Sequence, residues 1–169
     1  MKKTTQILGL GILFLFATTL SLSAQKCKYD YNKKDPITDE VTKKITFKPV
    51  YYIQMSFNKI GETYFSEMLL AYTGNIRDII QKGDPIVFKL SNGEVVTINS
   101  QDEFVPSVQV TQTGFISRYK ATYDIDAATL QKIAENPPTF FRMNIGSKVE
   151  EKEIKNGKKI SEAARCILQ

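Results

Sequence analysis

Four carboxylates are the residues of this chain best placed for acid–base chemistry. Asp124 and Asp126 lie two apart at the end of an alternating run, so a strand would turn both toward one face. Asp102 and Glu103 are neighbours just ahead of Phe104. Cleavage of a glycosidic bond needs two such groups about 5 to 9.5 Å apart across a cleft, with aromatic surface to seat the sugar. Eight tyrosines could supply that surface, but the chain has no tryptophan. A simpler reading makes Asp126 the cap of a helix and Asp102 a loop acid.

Residue type excludes most other chemistry. The chain has no histidine, so a histidine-based triad, the usual proton shuttle and the commonest zinc ligand are all missing. No Gly-rich phosphate loop or dinucleotide fingerprint occurs. Ser-x-x-Lys appears twice, at Ser56 to Lys59 and at Ser117 to Lys120. That spacing serves catalysis on a helix; Ser117 and Lys120 fall in a strand pattern that sends them to opposite faces, and Ser56 and Lys59 straddle a strand end and its turn. Asp30, Asn32, Asp35, Asp39 and Glu40 offer oxygens for calcium, but the glycine of the sharp turn is missing and Lys33 and Lys34 intrude. The expectation is no catalytic residue, no cofactor and no metal ligand.

The two cysteines, Cys27 and Cys166, carry the strongest signal. Lys2 and Lys3, an apolar run from Ile7 to Phe16, and small residues from Ser21 to Ala24 read as a secretory signal peptide over 1–24. The apolar run is too short for a comfortable membrane span. The remaining 25–169 is one domain in length, and outside the reducing cytosol its cysteines can pair. Lipid anchoring at Cys27 is disfavoured by Gln25 and Lys26 in front of it, and a catalytic thiol at Cys166 by the lack of histidine. An intramolecular bond is the favoured pairing; a bridge between two chains is the alternative.

Charge is uneven. Gln25 to Lys48 holds seven lysines against four acids, Lys148 to Arg165 six bases against four acids, and the stretch between them eight against ten. Joined termini would form a positive patch able to attract an anionic glycan, a lipid headgroup or an acidic protein. No basic stripe runs through the middle, which argues against nucleic acid.

The elements that must position these residues read as strands first and helices late. Odd positions from Ile45 to Phe57 are apolar, one long strand or two joined at Pro49. Thr63 to Tyr72 has apolar residues on both faces, as a strand covered on each side would. Ser91-Asn92-Gly93 joins Ile86 to Leu90 and Glu94 to Ile98 in a hairpin. Phe104 to Val110 is a weaker strand, and Phe115 to Ile125 a strong one with Phe115, Tyr119, Ala121, Tyr123 and Ile125 inward. Asp126 caps a short helix that Pro137 and Pro138 end. Thr139 to Ile145 returns as a strand, Lys148 to Ile154 suits a charged edge, and Ile160, Ala163, Ala164, Ile167 and Leu168 form the stripe of a final helix. The fold class is α+β and mainly antiparallel: a curled sheet or open barrel of about seven to ten strands, with a short middle helix and a C-terminal amphipathic helix packed on it.

Three aromatics, Tyr52, Phe65 and Phe140, lie opposite the main apolar face of their strands. They pack against another layer or, if clustered at the surface, mark a partner-binding patch.

Lys26-Cys27-Lys28, Lys82-Gly83-Asp84, Phe88 to Gly93 and Ala164-Arg165-Cys166-Ile167-Leu168 give the chain a layout that resembles a loose group of small exported bacterial proteins of unassigned activity. The resemblance implies no catalytic residue. The functional expectation is a non-catalytic exported module, periplasmic or secreted, that binds an envelope or extracellular protein or an anionic glycan, with no nucleic acid and no membrane span after signal removal. The alternative is a carboxylate-dependent hydrolase of cell-wall or environmental polysaccharide, or an inhibitor of such a hydrolase.

Overall fold

The computed structural model describes residues 27–169; the export signal read over 1–24 lies outside them. In chain order the elements are β1 (Tyr31–Lys34), β2 (Val41–Val50), β3 (Ile53–Ile60), β4 (Thr63–Thr73), β5 (Pro85–Leu90), β6 (Val95–Ser100), β7 (Ser107–Thr111), β8 (Gly114–Asp124), α1 (Ala127–Glu135), β9 (Pro138–Ile145), β10 (Lys148–Glu153) and α2 (Gly157–Leu168). The ten strands make one antiparallel sheet in the order β1-β2-β3-β4-β8-β6-β5-β9-β10, with β7 added to β8. This is the expected α+β architecture, an open curled sheet with a short and a C-terminal helix.

Alternation buries one face. Ile53, Met55 and Phe57 of β3 lie beside Leu70, Met68 and Ser66 of β4, all buried. On neighbouring strands β5 and β9, Phe88 and Phe141 meet at 5.9 Å between ring centroids. Helix α2 packs on β2, β3 and β9 and against α1, burying Ile160, Ala163, Ala164 and Ile167 as its stripe demands. It also completes α1: Ser161 Oγ donates to the carbonyls of Ile133 and Ala134, and Arg165 to that of Ala134. Those carbonyls end a helix and have no intrahelical donor. Asp126 caps the other end through the Thr129 amide at 2.7 Å, which holds its carboxyl below the ordinary range. Gly157 starts α2 so close to β9 that a Cβ there would stand 2.1 Å from the Pro138 carbonyl oxygen.

Cys27 and Cys166 are bonded to each other. Cys27 lies in the irregular segment before β1 rather than in a strand, and Tyr29 reinforces the tie by donating to the Cys166 carbonyl at 2.8 Å.

Four local expectations are corrected. The alternating stretch from Ile45 to Phe57 is a hairpin, because Tyr51 and Tyr52 form the turn between β2 and β3; Tyr51 is 88% exposed instead of buried. Strand β4 is central within the sheet, yet its second face is open and Leu69 is 44% exposed. Phe115 is exposed because the β7–β8 hairpin runs past the end of the core. Ser56 and Lys59 both belong to β3, on opposite faces, with Lys59 stacked over the Tyr64 ring.

Candidate functional site

The open face of β2, β3, β4 and β8 is built of cross-strand rows. Gln54, Leu69 and Lys120 are neighbours in one row, and Ala71 and Arg118 in the next. Lys48 and the Tyr51–Tyr52 turn close one side, giving a shallow trough of about 420 Å³. An adjoining lobe shares Gln54 and Leu69 and adds Lys44, Ser56, Glu67 and Lys120.

Charge in this trough is one-sided. Glu67 is the acid that lines it, and Lys44 neutralises it in an ion pair while Ser56 Oγ lies 3.5 Å away. Among the described residues, Lys48, Lys120 and Arg118 have no acidic partner. Tyr51 projects beside them, its ring edge-on to Tyr52 at 4.9 Å. Cations on a flat polar face, with an exposed aromatic ring and the Gln54 amide, can bind carboxylates or sulfates on a hydroxylated chain.

Beneath the trough, Tyr52 and Tyr72 both donate to Glu150 of β10, at 2.9 Å each. Burial, followed by the neighbouring carboxylate, pushes the Tyr52 phenol up to about 12 and holds Tyr72 well above its ordinary value. The rings continue to Tyr119, 6.4 Å from Tyr72, whose hydroxyl donates to the Asp78 carbonyl. This column ties the far edge strand to the trough's floor. Glu150 sits on a strand read from sequence as a charged edge; its inward direction was legible only as an acid at the parity of Lys148 and Lys152.

A second groove of about 780 Å³ lies on the same outer side over β5, β6, β9 and β10. Val95, Lys89, Phe140 and Glu153 are successive neighbours across its four strands. Its cations are partly answered: Arg142 pairs with Glu151, and Glu153 lines the groove.

The three aromatics singled out from sequence do not meet. Tyr52 borders the trough, Phe140 lines the second groove, and Phe65 pairs in register with Asn58 and Asp124. Phe65 is four residues along β4 from the nearer trough row at Leu69, about 13 Å at strand spacing. All three are half-buried. The joined termini bring Asp30 and Glu162 into one cleft with Lys28 and Lys159. Sequence charge counts missed the trough because its cations are split: Lys48 of β2 falls in the basic N-terminal stretch, and Arg118 and Lys120 of β8 in a middle stretch whose net charge is negative.

The four acids considered for catalysis lie elsewhere. Asp126 is the helix cap, Asp124 accepts from the Gln101 amide at 2.8 Å, and Asp102 and Glu103 are exposed in the loop after β6. Ser117 is buried and bonds Gly74 and Ile76, away from exposed Lys120. Among the described residues, no group of three or more potential metal ligands comes together, and no helix is long and apolar enough to cross a membrane. Comparison with protein-family models, with curated proteins and with solved structures finds no match to this chain.

Proposed function

We propose that this protein is a non-catalytic exported binding module whose ligand is an anionic glycan held in the trough over β3, β4 and β8. The observation that carries the reading is the set of three uncountered cations, Lys48, Arg118 and Lys120, around exposed Tyr51 and Leu69. Arginine and lysine would grip carboxylates or sulfates, and Tyr51 would lie against a sugar ring. The trough is open and shallow, which suits a chain passing over the surface better than an enclosed small molecule. The disulfide supports work outside the reducing cytosol. A hydrolase would need two carboxylates facing one another across the ligand; the trough's one acid is already paired with Lys44.

The test is binding of the mature protein to oligogalacturonate, with neutral dextran as control. Arg118→Glu combined with Lys120→Glu should lower affinity at least tenfold and leave thermal stability unchanged, and added salt should weaken the wild-type complex. Equal binding of acidic and neutral polymers, or no loss in the double variant, overturns the reading. Release of shortened oligosaccharides would replace it with the hydrolase.

A further inference from the structure

We infer that β7 is a self-association edge, and that its occupant is the β7 strand of a second copy of this chain. The sheet ends in three open edges among the described residues: β1, β10 and the outer side of β7. Edges β1 and β10 carry the devices that discourage strand addition, with Lys33 and Lys34 on one and Lys148, Glu151, Lys152 and Glu153 on the other. Strand β7 reads Ser-Val-Gln-Val-Thr and has no charge at all. The uncharged run continues from Val105 through Ser117.

The hydrogen-bonding direction of this edge follows from its neighbour. Gly74 N–H donates to the Phe115 carbonyl, so Phe115 turns its backbone groups toward β4. Successive residues of a strand alternate, so Gly114, Ile116 and Arg118 turn theirs toward β7. Their register partners are Thr111, Gln109 and Ser107. That leaves Val108 and Val110 presenting N–H and C=O groups outward, and no other backbone bond in the described residues uses them.

The strand is nearly palindromic about Gln109. Antiparallel pairing with a second copy on a two-fold axis at Gln109 sets Val108 opposite Val110 of that copy, and Ser107 opposite its Thr111. Each valine then exchanges both backbone bonds with its counterpart, and every outward group is satisfied reciprocally. The same pairing joins the exposed side chains of Val108, Val110 and Phe115 to their symmetry mates as one apolar stripe. Val110 is 73% exposed in the single chain, so the stripe removes real apolar surface from water. A charged strand of another protein gains no partner charge here, whereas the neutral copy loses none. The paired segment is five residues long, so association is reversible and depends on concentration.

Sedimentation velocity of the mature, disulfide-bonded protein over a concentration series tests this. The expected result is a monomer–dimer equilibrium that Val110→Lys shifts to monomer. Val110→Pro should do the same, because it deletes an outward N–H that β8 does not use. Circular dichroism of both variants should match wild type; if one fails to fold, the other decides. A wild-type protein that stays monomeric at all concentrations overturns the inference. So does a dimer that survives both substitutions, which would place the interface on another face.

Discussion

Tyr72 and Glu150 stand 78 residues apart in the chain and are joined by a 2.9 Å hydrogen bond from phenol to carboxylate. Tyr72 belongs to central β4 and Glu150 to edge strand β10, so the bond spans the curl where no backbone ladder closes it. With Tyr52 donating to the same carboxylate, side chains fasten edge strand β10 to β4 and to the β2–β3 turn. Glu150→Leu should cost about 2–3 kcal/mol, since it leaves both hydroxyls without their charged acceptor. Glu150→Leu in a Tyr72→Phe background should cost less than in wild type, and denaturant midpoints of the single and double variants read the difference. Additive losses would mean the phenol and carboxylate are not coupled.

Alkaline pH should loosen the same region. Tyr52 and Tyr72 hold their protons in the folded state above pH 10, where the unfolded chain releases them. The unfolded state then binds fewer protons, so stability falls as pH rises. The contribution is intact below about pH 10 and is lost on the way to about 12, the folded value of Tyr52. Tyr123, buried and also raised, acts in the same direction. The tyrosinate absorbance of Tyr52 and Tyr72, read as the difference from a variant with both changed to Phe, should appear together with loss of tertiary structure, not before it.

Much of the fold was legible because turns and periods are local. The hairpin at Asn92-Gly93, the Asp126 cap, the α2 stripe and the charged β10 edge each follow from a few adjacent residues. Pro49 suggested a bend, but nothing local distinguishes a kinked strand from a tight turn at Tyr51-Tyr52, where both residues favour strands. Phe115 was assigned to the core by parity alone, and parity does not say where the core stops. The trough depends on register: Lys120 lies beside Leu69, 51 positions away, only because β4 pairs with β8. The Glu150 clasp is non-local for the same reason.

The bond between Cys27 and Cys166 closes a loop of 139 residues. On the loop-entropy account its loss should cost about 5 kcal/mol, with measured values often smaller. Cys27→Ser combined with Cys166→Ala should lower the denaturant midpoint clearly below that of the oxidised protein. Reductant should lower wild type toward the same value and leave the variant unmoved.

The most direct measurement of the binding account is the amide NMR spectrum of the mature protein titrated with oligogalacturonate. The account predicts shifts that saturate and are confined to Lys48, Tyr51, Gln54, Leu69, Arg118 and Lys120. Shifts gathered instead at Val87, Phe140 and Arg142, or a spectrum that does not change, would contradict it.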